Sequence, residues 1–291
     1  MNKIHHQIII IGAGIAGLWS FNVLKCKGYD VILLEKDSIG GTQSLASQGM
    51  IHGGQRYALQ GALSNHSESI SAMPGIWDQA LKGEITPDLS SANILSDKQY
   101  MWSPGGLTSN VTSFFASKAM NSRVDSLPKE DWPQIFKDHL KFKGKIYQLD
   151  EVVLDIKSVA TALSKNYLEH IIKIDQLELN VKNEKLESIV ITQGSQNLEI
   201  TADQFIFTAG IGNEEIAALL WPDKKPTQRR PLKQILIDDV EYPLYAHCIT
   251  VDPRPRVTVS AHPKENGKYT WYLGGLVAVK HIEDSDQQAI D

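Results

Sequence analysis

The sequence predicts an α/β fold with a second, mixed α+β domain, on three observations. The β-branched run Ile8–Ile11 passes directly into Gly12-x-Gly14-x-x-Gly17 and then into a helix-periodic segment. An uninterrupted apolar run of this kind reads as a parallel strand covered on both faces. A second such run, Asp30–Lys36, follows Gly28, the residue that closes the helix. Strand, glycine turn, helix and strand in that order make a Rossmann-like unit. The third observation is a change of character: after about residue 221 the chain becomes β-rich, with a hairpin signal at Glu265-Asn266-Gly267.

The remaining elements follow from local pattern. The first helix is expected over Leu18–Lys27, with Leu18, Phe21 and Leu24 on one face. Ser38–Gly61 is rich in Gly, Ser and Gln, too polar for a core element and too long for a simple turn, so it reads as a loop that either serves a ligand or is disordered. Helices are expected over Ser67–Leu81 and Ser109–Met120, a strand over Ile94–Trp102, and helix with loop over Leu127–Phe142. Lys145–Leu154 reads as a strand, and Asp155 caps a helix reaching Leu168. A strand at Ile171–Ile174 precedes a meander over Leu177–Val181, Leu186–Thr192 and Leu198–Thr201. Asp203–Gly210 reads as a separate buried strand, followed by a helix over Glu214–Leu220. Strands are then expected at Leu232–Ile237, Leu244–Val251, Val257–His262 and Tyr269–Val279. A length of 291 residues suits about two domains. We expect a discontinuous nucleotide-binding domain from residues 1–75 and 145–220, and a substrate domain from 76–144 and 221–291.

Composition narrows the function classes. With 42% hydrophobic and 22% charged residues the chain is an ordinary globular one, which excludes a disordered, collagen-like or coiled-coil protein. A formal net charge of −5 gives no global drive toward nucleic acid. Cys26 and Cys248 form no CxxC spacing, so neither a disulfide framework nor a Cys-rich metal site is expected. No metal is expected elsewhere, the His5-His6 pair being a polar lead-in to the first strand. No apolar run is long enough for a membrane span. The run Gln7–Ile11 is broken by Gly12 with no cleavage-site pattern after it, so a cytoplasmic protein is expected.

The glycine motif carries the first chemical signal. Gly12 permits the tight turn, Gly14 lets a pyrophosphate approach the backbone, and Gly17 lets the helix pack on the strand. The free N–H groups at Ile15 and Ala16 and the positive end of the helix dipole then face the phosphates. Glu35 ends the second strand at roughly the 20-residue spacing the fingerprint asks for, where an acid accepts ribose hydroxyls. This much fits either NAD or FAD.

The run Gly40–Tyr57, with Ser47-Gln48-Gly49-Met50-Ile51-His52-Gly53-Gly54, resembles the flavin-contacting loop of the D-amino-acid oxidase superfamily. The superfamily includes glycine oxidase, sarcosine oxidase, glycerol-3-phosphate dehydrogenase and 2-hydroxyglutarate dehydrogenase, the last two being most similar here. Ala202–Gly210 is similar to the family's strand that ends in Ala-Gly beside the dinucleotide. Arg230-Pro231-Leu232, Leu244–Cys248 and Trp271–Gly275 are similar to a bacterial group of these oxidoreductases. The resemblance implies an FAD-binding Rossmann-like fold, FAD as cofactor, and a soluble flavoprotein oxidoreductase. It implies cofactor contacts at Gly12, Gly14, Ile15, Ala16, Gly17, Glu35, Lys36, Thr42, Gln43, Ser47, Gln48, Gly49, Ala209 and Gly210. Members usually continue past the point corresponding to Asp291, so the family's C-terminal return to the nucleotide-binding domain is expected to be missing. Only one dinucleotide fingerprint is present, so oxygen, a quinone or a carrier protein is the expected electron acceptor.

The expected reaction is oxidation of a small amino acid or hydroxy acid by hydride transfer to flavin. A hydroxyl substrate needs a base, and His52 is the candidate base or flavin neighbour; the alternative is a polar loop residue satisfying backbone groups. Arg56 is the candidate carboxylate clamp, with Arg229, Arg230, Arg254 and Arg256 as other cations. His247 and Tyr272 are substrate-pocket candidates, with a buried structural role as the alternative. Two other functions remain open at this point: an FAD-binding relative without turnover, and an NAD-dependent dehydrogenase.

Overall fold

The computed structural model describes residues 3–53, 72–104, 124–139, 142–183, 185–250, 252, 254–280 and 282–290. The helix expected over Ser109–Met120 lies outside them. The chain divides into two compact units: Met1–Ser47, Gln79–Ala92 and Ile156–Arg230 form one, and Gln48–Asp78, Asn93–Asp155 and Pro231–Asp291 the other. The first passage from one unit to the other thus falls at residues 47 and 48, where the sequence pattern suggested the neighbourhood of residue 75.

The first unit opens with strand β1, Lys3–Ile11, helix α1, Ile15–Cys26, and strand β2, Val31–Glu35. Its six-stranded sheet continues with β8, Ile171–Lys173, β9, Gln176–Lys182, β10, Lys185–Gln193, and β11, Gln196–Phe207, in the order β8-β2-β1-β11-β10-β9. β1 lies in the middle, parallel to β2 on one side and to β11 on the other. This central position is why Ile8–Ile11 has no polar interruption: Ile9 and Ile11 pack with Ile32, Leu34, Ile189 and Ile200, and period-two alternation turns Ile8 and Ile10 to the opposite, equally buried face. Beyond that strand, α1 and the helix Ile156–Ser164 are clamped together by Asn22, whose buried amide donates to the carbonyls of Leu18 and Leu163 at 2.8 and 2.6 Å.

Two sequence expectations change here. The strands expected at Leu198–Thr201 and Asp203–Gly210 are one strand, β11. Its early part pairs antiparallel with β10 and most of its length pairs parallel with β1, so continuous ladder bonds carry it through the polar Thr201-Ala202-Asp203-Gln204. The helix expected to reach Leu168 stops at Ser164, and a 3₁₀ turn, Leu168–His170, leads into β8.

The second unit holds a mixed sheet in the order β12-β15-β14-β13-β4-β6-β5. Its members are β4, Gln99–Ser103, β5, Val124–Ser126, β6, Lys145–Leu149, β12, Ile235–Val240, β13, Ala246–Cys248, β14, Val257–Pro263, and β15, Tyr269–Gly274. The pair β13 and β4 is parallel, which sets His247 opposite Met101. A two-stranded sheet joins β3, Ile94–Ser96, to β7, Val153–Leu154, so the single strand expected over Ile94–Trp102 is split, and so is Lys145–Leu154. The Glu265-Asn266-Gly267 signal makes the β14–β15 hairpin, with Gly267 at φ +79°. The strand expected to run to Val279 ends at Gly274. Gly275 follows at φ +87°, where a Cβ would meet the Pro255 carbonyl oxygen at 2.7 Å. Leu276–Lys280 is a short helix, because an apolar run alone does not distinguish helix from strand.

Candidate active site

In the first unit, the glycine turn is shaped by contacts that leave no room for side chains. Gly12 adopts φ +105°, and a Cβ there would meet Ala209 Cα and Thr208 O at 2.6 Å. A Cβ on Gly17 would stand 2.0 Å from the Gly12 carbonyl oxygen and 2.7 Å from Thr208 Oγ1. Thr208 donates toward the carbonyls of Ile11 and Gly12 at 3.0 and 2.8 Å, tying the end of β11 to the turn. Asn213 closes the other side: its Oδ1 accepts the Ala209 N–H at 3.0 Å and its Nδ2 donates to Phe207 O at 3.3 Å. Gly210 sits at φ +57°, with Gln43 Oε1 2.7 Å from where a Cβ would be.

Gly14 is the N-cap of α1 and no side chain caps it; the first turn carries no acidic residue. The helix therefore presents backbone N–H groups and an unneutralised positive end. Ser44 Oγ accepts the Ile15 N–H at 3.0 Å. Glu35, at the end of β2, accepts the Ala13 N–H on Oε2 at 2.6 Å and the Asp37 N–H on Oε1 at 2.8 Å, which fixes its carboxylate beside the turn. The turn suits a dinucleotide diphosphate: close backbone contacts at Gly12 and Gly17 hold it tight, its helix end is positive, and an acid stands where the fingerprint expects the ribose.

The loop residues are distributed unevenly. Thr42 has φ +52° and an exposed side chain. Lys36, Gln43 and Ser47 are exposed and Ala16 is exposed at the helix start. Gln48 and Gly49 belong to the second unit and are engaged within it. Gln48 Nε2 donates to Tyr272 O at 2.7 Å, and its Oε1 accepts Thr258 Oγ1 at 2.6 Å. Gly49, at φ +68°, lies so close to Leu154 that a Cβ would be 2.0 Å from its carbonyl oxygen.

His52 is placed by the same loop, and its backbone is held on both sides. Ile51 N–H donates to Val152 O at 3.1 Å. Gly53 N–H donates to the buried Glu151 carboxylate at 2.8 Å. Gln99, fully buried on β4, donates from Nε2 to the carbonyls of both Ile51 and Val152, at 3.1 and 3.2 Å. With both amide hydrogens committed, Gln99 Oε1 faces His247 Nε2 at 2.9 Å and accepts its proton. His247 is buried, and burial holds its pKa down to about 3, with the neighbouring His52 adding to the effect. The His52 and His247 rings lie 5.3 Å apart, inclined at 56°. His52 keeps part of its surface in solvent, yet the surrounding protein removes enough water to lower its pKa below the usual histidine value.

The other sequence candidates fall elsewhere. Tyr272 stacks on His262, ring centroids 4.0 Å apart. Arg229 pairs with Glu214 at 2.5 Å and Arg254 with Asp252 at 3.3 Å; both are exposed pairs. Arg230 donates to the Gln228 side chain, and Arg256 is exposed on its approach to β14. Arg56 lies outside the described residues. Pattern reading missed Ser44, Thr208 and Gln99. Ser44 and Thr208 stood in segments already singled out, but Gln99 follows the polar Ser96-Asp97-Lys98 and had no signal of its own. No helix among the described residues is long and apolar enough to cross a membrane.

The turn, the positive helix end and Glu35 define an α/β dinucleotide-binding protein. Comparison with known proteins makes this specific. The family of FAD dependent oxidoreductases called DAO matches residues 7–277. The probable FAD-dependent oxidoreductase PA4991 of Pseudomonas aeruginosa is 41% identical over 273 residues, covering 94% of this chain and 68% of that protein. Its crystal structure aligns with TM-score 0.81 at 32% identity, over 100% of this chain and 71% of that one. Glycine oxidase from Bacillus cereus shares the fold, with TM-score 0.62 at 14% identity over 93% of this chain and 70% of that one. The chain belongs to the DAO family of FAD-dependent oxidoreductases, and FAD is the cofactor this membership gives it. The NAD-dependent alternative is thereby set aside.

Proposed function

We propose that this chain oxidises a small amino acid or hydroxy acid, with His52 as the group that takes the substrate proton. The observation that carries the reading is the construction around His52: a solvent-exposed histidine, held by backbone bonds on both flanks, its pKa lowered from the usual histidine value by desolvation, beside the buried ring of His247. A neutral imidazole has one nitrogen free to accept a proton, as oxidation of an alcohol or ammonium carbon requires. Proteins with the same fold include a glycine oxidase, an L-amino acid deaminase and an iminodiacetate oxidase, which supports the amino-acid part of this reading.

FAD, when bound, supplies the two-electron acceptor for the substrate's hydride. In this reading the Gly12–Gly17 turn and the amide end of α1 hold its diphosphate, Glu35 its ribose, and Gln43, Ala209 and Gly210 border it. Oxygen, a quinone or a carrier protein would then be the electron acceptor.

Anaerobic mixing with a panel of amino acids and hydroxy acids tests the reading, with bleaching of the visible flavin band as the signal. A productive acid should bleach wild type, and His52→Ala should slow bleaching about 100-fold or more if a hydroxyl proton is removed. Equal losses of FAD affinity and bleaching rate would make His52 a structural loop residue. A flavin that no member of the panel reduces would refute the substrate class.

A further inference from the structure

His247 presents an unusual combination. It is one of the most enclosed polar side chains in the molecule, and among the described residues its Nδ1 has no hydrogen-bond partner. Its proton cannot move to Nδ1 without breaking the bond to Gln99 Oε1. Gln99 cannot turn over to compensate, because its amide nitrogen is committed to Ile51 O and Val152 O. The only bond His247 Nδ1 can make is therefore as an acceptor.

Among the described residues, the aromatic ring in contact with His247 is that of His52. A ring nitrogen lies about 1.2 Å from its centroid, so two nitrogens aimed at each other along the 5.3 Å centroid line stand roughly 2.9 Å apart, a hydrogen-bond length. The 56° inclination shows the rings short of that alignment, and a turn of the solvent-exposed His52 ring supplies it. The buried Glu151 carboxyl, also at this loop, accepts the Gly53 N–H. The Cys248 thiol is adjacent in sequence, and burial raises its pKa.

We propose that Gln99, His247 and His52 form a tautomer relay in which Gln99 pins the His247 proton to Nε2 and His247 Nδ1 accepts a ring N–H of His52. The second His52 nitrogen is then left as the free base. Gln99 and His247 are positioning residues, and the proposal rests on the reading of His52 as the proton acceptor. When substrate reacts, its O–H or N–H bond breaks and the proton goes to the free His52 nitrogen. The electron pair left behind forms the C=O or C=N bond as the hydride departs from carbon to FAD. His52 becomes imidazolium with its bond to His247 intact, and His247 takes no proton. The relay explains why an acceptor is buried without a partner among the described residues: its partner is the ring that turns.

The test is long-range proton–nitrogen NMR of the holoprotein with ¹⁵N-labelled histidine. Wild type should show His247 protonated on Nε2 alone and His52 in a single tautomer. In His247→Leu, His52 should become a tautomer mixture and its titration midpoint should move to lower pH, because its imidazolium loses an acceptor. His247→Asn, whose side-chain oxygen can stand where Nδ1 stood, should restore the single tautomer. Gln99→Leu should release His247 into both tautomers. A bound flavin spectrum and a thermal melt show that each variant is folded. A His247 proton on Nδ1 in wild type overturns the relay even if every variant fails to fold. So does a His52 tautomer and midpoint unchanged in folded His247→Leu. If the NMR pattern holds while no acid bleaches the flavin, the relay stands and the proposed reaction falls. With a productive substrate, bleaching should slow about tenfold in His247→Leu and recover in His247→Asn.

Discussion

Replacing Gly17 by alanine is the sharpest probe of the cradle. The new Cβ would lie 2.0 Å from the Gly12 carbonyl oxygen, whereas an ordinary carbon–oxygen contact is about 3.3 Å. The start of α1 must therefore retreat by about 1.3 Å, or the turn must deform by that much. The obstructing atom is backbone, so no side-chain rotation relieves it, and the cost belongs at the upper end of overpacking, about 3 kcal/mol. The displaced helix end carries the amides expected to face the diphosphate. FAD affinity should consequently fall at least about tenfold, or ~1.4 kcal/mol. Urea denaturation of the apoprotein and quenching of flavin fluorescence on binding measure the two quantities separately. Gly28→Ala is the control. Gly28 has φ +84° with nothing within 4 Å of a Cβ, so only the left-handed backbone penalty of about 1 kcal/mol applies, and FAD affinity should not move. If Gly17→Ala unfolds at the wild-type urea concentration and binds FAD as tightly, the close-packing argument is wrong.

Glu35→Gln keeps the shape but turns an amide donor toward either the Ala13 or the Asp37 N–H, at a cost of about 1–3 kcal/mol in stability together with weaker FAD binding; unfolding and flavin titrations check both. The buried His247 makes stability pH-dependent. Its folded pKa of about 3 lies below the unfolded value of about 6.5, so the unfolded chain binds more protons between them. Its contribution is thus complete above about pH 6.5 and is lost as pH falls toward 3, with a slope of at most about 1.4 kcal/mol per pH unit. His247→Asn should flatten that part of a urea-midpoint profile, and an unchanged slope would contradict the burial of a neutral ring. Finally, a thiol reagent should modify one of the two cysteines in the native protein, the exposed Cys26, and both after denaturation, because Cys248 is buried and its thiol pKa is raised; rapid native labelling of Cys248 would refute its placement in β13.

What could be read in advance was whatever neighbouring residues constrain by themselves. His5-His6, read as a polar lead-in, belong to β1 through pairing with Thr201 and Ala202, whereas the second half of β1, the turn, most of α1 and β2 follow from the apolar runs Ile8–Ile11 and Val31–Leu34 and three glycines. The Asn266-Gly267 turn announced its hairpin for the same reason, a left-handed backbone position. The errors have a common origin. β11 looked like two strands because its middle is polar, and only its pairing along β1 holds it as one. Tyr269–Val279 looked like one strand because its apolar residues continue past the point where Gly275 turns the chain. In both cases partners distant in sequence decided the outcome.

The site divides along the same line. The sequence by itself pointed to a dinucleotide turn, since Gly12 and Gly17 have no room for a Cβ and stand at spacings set by one strand and one helix. It also singled out His52 and His247, though separately and with different roles. Only the tertiary structure joined them. His247 and Gln99 are 148 residues apart in the chain and meet because β13 lies parallel beside β4. The lone pair left on His247 exists only because Gln99 spends both amide hydrogens on a loop and a strand end brought alongside it. Hydrogen-bond direction depends on where every donor and acceptor ends up after folding, and no local pattern of residue types encodes that.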